Sequence, residues 1–115
     1  MVTFGNGVPM SLRAAKTLER EGAGATVLDL RWLSPLPTEA LIAHAMDFES
    51  VLVVDETRAS GGVAESVVSA LVDKGYPGAV ARVNSADSYV PLGPATEWVL
   101  LTEAQITEQA RALVR

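Results

Sequence analysis

The densest group of residues able to do chemistry is Asp55-Glu56, followed by Arg58 and the pair Gly61-Gly62 that opens a helix. Two adjacent carboxylates are residue types suited to acid–base work or to a magnesium ion. Neighbouring residues of a strand point in opposite directions, however, which separates these two carboxylates. A structural reading follows: one carboxylate caps backbone N–H groups and the other pairs with Arg31 or Arg58. A second candidate is Gly5-Asn6-Gly7, set between a strand and a helix, where the helix N-terminus could cradle a phosphate. Its spacing does not complete GxGxxG, because position 10 is Met, and it is not a Walker loop. The simpler reading is a tight turn with positive φ at Gly5 and Gly7. Asp29 and Arg31 straddle Leu30, so they share a face and either form an ion pair or meet another subunit. No nucleophile–base–orienter set is evident. The single histidine, His44, falls on the polar side of its helix, opposite Leu41 and Met46, where a solvated residue is expected.

These residues need a scaffold, and two periodicities alternate along the chain to supply one. Short apolar or β-branched runs at 2–4, 26–30, 50–55 and 80–84 have the length of buried strands. The run at 50–55 is apolar on both faces, as expected of a central parallel strand covered by helices. Between the runs lie helical stripes. Met10, Ala14 and Leu18 share a face and Gly22 follows as a stop; Leu41, Ile42, Ala45 and Met46 follow Pro37-Thr38. Val63, Val67 and Leu71 sit beside Ala64, Val68 and Val72, and Gly75-Tyr76-Pro77 ends that helix. Thr102-Glu103-Ala104-Gln105 reads as a capping box opening a last helix with Ile106, Ala110, Leu113 and Val114 inside. Four strand–helix units predict an α/β fold: a three-layer α/β/α sandwich on a mainly parallel sheet of about four strands. Residues 85–101 break the rhythm. They have no clear period, contain Pro91, Gly93 and Pro94, and hold Tyr89, Val90, Leu92 and Trp98, which a free loop would not be expected to expose. Cover for a partner is their expected role.

In an open parallel sheet ligands gather outside the carboxyl ends of the strands, which places all these loops on one edge. Composition narrows what that edge meets. A chain of 115 residues has room for one domain, residues 1–115, with its own core. It has no cysteine and one histidine, so disulfides, thiolate sites and a zinc centre are not expected. The net charge is −5 and the nine basic residues are scattered, so there is no basic stripe for nucleic acid. No apolar run approaches a membrane span, and the N-terminus lacks a basic leader, which makes a cytoplasmic protein the default expectation.

Several strings in order resemble one family: Val2-Thr3-Phe4-Gly5-Asn6-Gly7, Val27-Leu28-Asp29-Leu30-Arg31-Trp32-Leu33-Ser34-Pro35-Leu36, Val51-Leu52-Val53-Val54-Asp55-Glu56, Ser60-Gly61-Gly62-Val63-Ala64-Glu65 and Ala81-Arg82-Val83-Asn84-Ser85-Ala86-Asp87. They resemble the C-terminal domain of the beta subunit of thiamine-diphosphate-dependent 2-oxoacid dehydrogenases (pyruvate and branched-chain types), whose relatives occur in transketolase. The resemblance implies a sheet of strand order 2-1-3-4 with an antiparallel edge strand before the first parallel one; this sequence begins at the match to the parallel strand, so the edge strand is expected to be missing. It further implies thiamine diphosphate and Mg²⁺ in the complete enzyme, held by other domains, with no catalytic, cofactor or metal residue carried over onto this chain. The implied role is dimerisation, with the thiamine-binding domains or alpha subunit and an acyltransferase component as further partners. The chain would then be a piece of a larger enzyme or a separate subunit. Candidate interface residues on the loop edge are Arg31, Trp32, Asp55, Glu56, Arg58, Gly61, Gly62, Asp87, Tyr89, Val90, Pro91 and Leu92. The other reading is a free-standing small-molecule or phosphate-binding module of flavodoxin-like architecture, built on Gly5-Asn6-Gly7 and the loop 55–62.

Overall fold

A computed structural model describes residues 1–114. The elements run β1 (Val2–Thr3), α1 (Gly7–Arg20), β2 (Leu28–Asp29), α2 (Thr38–Ala45), β3 (Ser50–Arg58), α3 (Val63–Asp73), β4 (Ala79–Ser85), a 3₁₀ turn (Gly93–Trp98) and α4 (Glu103–Leu113). The four strands form one sheet in the order β2-β1-β3-β4, and every recorded pairing is parallel. The three-layer sandwich is therefore the one the alternating pattern predicts.

Side-chain alternation along β3 divides the core in two. Val51 and Val53 pack with Leu41, Ala45, Ala64, Val67 and Leu71 under α2 and α3. Leu52 and Val54 pack with Met10, Ala14, Leu18, Ile106 and Ala110 under α1 and α4. Both faces of β3 are sealed, so its run of apolar residues is a requirement of position. Each large side chain fully buried here contributes about 1.5–3 kcal/mol relative to exposure. The capping box forms as read: Thr102 Oγ1 accepts from Gln105 N at 3.3 Å, and Gln105 Oε1 accepts from Thr102 N at 2.9 Å. Two exposed ion pairs tie α4 to α1, Arg13 to Glu103 and Arg111 to Glu21. Arg111 holds the Glu21 carboxyl below its ordinary pKa through that hydrogen bond.

Several expectations are corrected. β2 begins at Leu28 rather than residue 26, because an edge strand gains pairing on one side only and Thr26 spends its carbonyl on the Met1 amine. β3 continues past Asp55 to Arg58 through an irregularity in its pairing with β4. Met46, Val72 and Val114 are exposed: Met46 and Val114 follow the last turns of α2 and α4, and Val72 sits on the outward side of α3 beside the buried Leu71. Gly7 has no positive φ; of the first turn only Gly5 does, at 55°. His44 is half-buried rather than solvated, its ring 5.2 Å from that of Phe48. Residues 85–101 are not structureless, since Gly93–Trp98 form the 3₁₀ turn.

Candidate functional site

The carboxyl ends of the four strands bring the candidate loops to one edge, as parallel pairing demands. Its centre is Asp55. The carboxylate is fully buried, Oδ1 accepting from Thr57 N and Oδ2 from Ala64 N, both at 2.8 Å. Ala64 is in the first turn of α3, whose N-cap is Gly62, a residue without a side chain to cap with. Asp55 supplies that acceptor from the neighbouring strand. Gly62 must lack a Cβ, because one would stand 2.7 Å from both the Arg58 carbonyl and Thr57 Oγ1 and 3.1 Å from Asp55 Oδ2.

Glu56, the next residue along the strand, is half-buried where Asp55 is fully buried. The expected pairing of the second carboxylate with Arg31 or Arg58 is not among the ion pairs of the described residues. Arg58 instead donates from Nε to the Ser60 carbonyl at 2.8 Å, and Arg31 approaches Asp29 at 3.8 Å. The Ser60 carbonyl, two residues on in the same turn, occupies the Arg58 guanidinium.

Three residues complete this loop that sequence reasoning did not single out. Ser60 donates to Asp87 twice, from N at 2.8 Å and from Oγ at 2.6 Å. Glu65 accepts from Gly61 N at 3.0 Å, and Arg82 donates to the Ala59 carbonyl at 2.8 Å. Glu65 carried a readable signal, an acid four residues after an orphan N–H at a helix start. Ser60 and Asp87 lie 27 residues apart and carried none.

The Ser60 hydroxyl and amide hold the Asp87 carboxyl below its ordinary value, with Arg58 adding to the same effect. A depressed carboxylate strengthens its contact above the unfolded value and releases it as pH falls through the folded value. The Ser60 amide resonance is accordingly expected to titrate with a midpoint below that of a free aspartate, and Asp87→Asn to remove the transition. A midpoint at the free-aspartate value, read by NMR, would show that the latch does not form.

Beyond Asp87 the chain exposes its apolar side chains. Tyr89 is 97% exposed, Leu92 96% and Trp98 88%, with Val90 exposed and Pro91 half-buried. The segment is fixed at its base, where Ala86 N donates to the Val99 carbonyl at 2.8 Å and Leu101 N to Ser85 Oγ at 2.9 Å. Across the sheet, beyond β1, Arg31 and Trp32 are exposed after β2. At the Gly5-Asn6-Gly7 turn, the amides of Gly7 and Val8 donate to the carbonyls of Phe4 and Gly5, each at 3.1 Å, which leaves fewer donors for a phosphate. A cavity of about 330 Å³ opens at the opposite, amino edge, lined in part by Leu18, Leu28, His44 and Leu113. It is remote from all of these loops.

Both oxygens of Asp55 are engaged by amides, and no group of three or more His, Cys, Asp or Glu side chains gathers into a metal-ligand set among the described residues. No helix among those residues is long and apolar enough to cross a membrane.

The sequence pattern of the family described as transketolase, C-terminal domain, matches residues 1–108. The chain is 32% identical to the pyruvate dehydrogenase E1 component subunit beta of Bacillus subtilis, over 99% of its own length and 36% of that protein's. It is 30% identical to the same subunit of Staphylococcus epidermidis, over 97% of its own length and 35% of that protein's. It thus spans about a third of the relatives it matches. Among solved structures it resembles one described as a split-gene transketolase, inactive beta4 tetramer, with a TM-score of 0.83 and 27% identity, covering 98% of this chain and 37% of that one.

Proposed function

The chain belongs to the transketolase C-terminal domain family, and from that premise we propose that it is a non-catalytic assembly domain of a thiamine-diphosphate-dependent 2-oxoacid dehydrogenase. It forms one globular unit, residues 1–115, within a larger enzyme or as a separate subunit. The observation that carries the reading is the carboxyl edge: Tyr89, Val90 and Leu92 stand out on a segment pinned at both ends. Large apolar side chains held that far from a core lose free energy unless a partner covers them. Arg31, Trp32, Arg58, Asp87 and Pro91 belong to the same loop edge, while Asp55, Glu56, Gly61 and Gly62 shape it. The partner is a second copy of the chain, with the thiamine-binding domains or alpha subunit and an acyltransferase component as further partners in the complete enzyme. Pyruvate or a branched-chain 2-oxoacid is the substrate of that enzyme, which transfers the acyl group to a lipoyl carrier. Thiamine diphosphate and Mg²⁺ are held outside this chain, and the setting is cytoplasmic. Similarity to two pyruvate dehydrogenase E1 beta subunits supports the reading, as does a structural relative described as a tetramer of beta chains.

Light scattering during size-exclusion chromatography tests it, with and without thiamine diphosphate and Mg²⁺. Self-association independent of the cofactor is expected. The double substitution Tyr89→Ser, Leu92→Ser should weaken it by at least about tenfold, the effect of roughly 1.4 kcal/mol. Because both side chains are exposed, unfolding stability should change by less than about 0.5 kcal/mol. A monomer at every concentration, indifferent to chains bearing the missing domains, would refute the assembly role. A thermal shift with millimolar phosphorylated metabolites would favour the small-molecule reading instead.

A further inference from the structure

Residues 86–92 run between two fixed points. At one end Ala86 N donates to the Val99 carbonyl, and at the other the 3₁₀ turn begins at Gly93. Among the described residues, Asp87 is the only member of this stretch hydrogen-bonded to a part of the chain outside 85–101. Both of its carboxylate oxygens accept from Ser60, Oδ1 from the amide at 2.8 Å and Oδ2 from the hydroxyl at 2.6 Å. The Ser60 side of that contact is firmly seated. Arg82 of β4 donates to the Ala59 carbonyl, Glu65 of α3 accepts from Gly61 N, and Arg58 donates to the Ser60 carbonyl. The Asp87 side is not: Ser88, Tyr89, Val90 and Leu92 are exposed, and the bonds of Ser88 stay within residues 86–89. Ser60 and Asp87 are themselves exposed, so their contact adds little to the stability of the fold. What it fixes is position.

We propose that the Ser60–Asp87 contact is a conformational latch on self-association. Closed, it holds Tyr89 and Leu92 in the arrangement that a second copy meets; open, it frees residues 88–92 and the copies separate. The inference rests on the assembly reading and adds the device that regulates it. Preorganisation gives the latch its leverage. Ordering even one freed backbone residue during association costs about tenfold in affinity. An exposed pair of hydrogen bonds therefore governs association far more than folding. The device has two states because both donors belong to one residue, and Asp87 loses both when it leaves Ser60.

The test compares wild type with Ser60→Asp, Asp87→Ala and the Tyr89→Ser, Leu92→Ser variant. Ser60→Asp sets one carboxylate against another, and Asp87→Ala removes the acceptor. The first adds a negative charge and the second removes one, so a shared effect cannot come from net charge. Sedimentation reads association, and NMR relaxation of the Ser88, Tyr89, Val90 and Leu92 amides reads order in the dissociated chain. Both latch variants should weaken self-association at least about tenfold. Order parameters of those amides should fall from about 0.85 to below about 0.6. Unfolding midpoints should move by less than about 4 °C. Association like wild type in both latch variants, beside a loss in the Tyr89, Leu92 variant, overturns the latch and leaves the assembly reading standing. Weakened association with unchanged order parameters also overturns it, since the two side chains then act by direct contact. So does a loss confined to one latch variant, which charge alone explains. A monomer throughout, or no change in any variant, overturns both readings.

Discussion

Asp55→Ala is expected to destabilise the chain by about 2–4 kcal/mol, read by urea denaturation with an unchanged slope. The carboxylate is fully buried and accepts two amide bonds of 2.8 Å, from Thr57 and Ala64. Alanine leaves both N–H groups without that acceptor, the Ala64 amide in a buried place and the Thr57 amide in a partly buried one. It also removes the negative charge from the N-terminus of α3, where the helix dipole favours it. Burying a carboxylate costs desolvation, and its loss offsets part of the damage. With two charge-assisted bonds at stake, the bonds win. Asp55→Asn separates the terms: one acceptor survives, the charge is lost, and an amide NH₂ is forced against an N–H, for an expected cost of about 1–3 kcal/mol. In both variants the amides of Thr57 and Ala64 should exchange faster than those of β1 and α1. A typical domain holds only about 5–15 kcal/mol, so the alanine variant should unfold measurably more readily at growth temperature. A change below about 0.5 kcal/mol would mean that the Thr57 and Ala64 amides find other acceptors.

The consequence extends to the edge, because Asp55 anchors a chain of contacts rather than a reacting atom. It fixes the start of α3; α3 carries Glu65, which holds Gly61; the turn holds Ser60, and Ser60 holds Asp87. The segment exposing Tyr89 and Leu92 begins two residues later. Loosening Asp55 should therefore weaken association as well as stability, and an Asp55→Asn chain that remains folded should show both.

How much of this was legible beforehand depended on how local the cause was. β3 could be read because both of its faces are buried, which leaves an uninterrupted apolar run. Its extension to Arg58 could not, because Glu56, Thr57 and Arg58 are polar residues held by pairing with β4 across an irregular register. The stripe of α1 was legible in Met10, Ala14 and Leu18, all buried against the sheet. Met46 and Val114 misled because a helix-period pattern continues past the last turn that has a neighbour. The 3₁₀ turn at Gly93–Trp98 left no stripe, since none of its residues is buried. In the loops, a cap from one of the two carboxylates Asp55 and Glu56 was readable but not which one supplies it, and the Ser60–Asp87 latch depends on two strand ends meeting in space. The turn at Arg31 was hidden for a different reason. Its positive φ of 61° is a backbone property, and the residue type argues against it.

Gly7→Ala is expected to cost about 1–3 kcal/mol, and Thr3→Ala on the same chain to recover at least half of that. Gly7 is buried at the start of α1, and its φ is not of the positive kind that would itself require glycine. The constraint is space. A Cβ there would overlap Thr3 Oγ1 and would stand 3.5 Å from Thr3 Cβ and 3.6 Å from the Val54 carbonyl. The last two are ordinary contacts, so the hydroxyl alone is the obstacle. That hydroxyl is fully buried and has no hydrogen-bond partner in the described structure. Thr3→Ala therefore deletes an unsatisfied polar atom along with a methyl group, and the two effects nearly cancel. In the double variant the new methyl occupies the volume released by the old hydroxyl, and alanine in a helix is favoured over glycine by up to about 1 kcal/mol. The double-mutant cycle should show a coupling of at least about 0.5 kcal/mol. Strict additivity would mean that α1 moves off β1 to admit the methyl, and the close approach that seats the first loop at the carboxyl edge would then be set by something other than this contact.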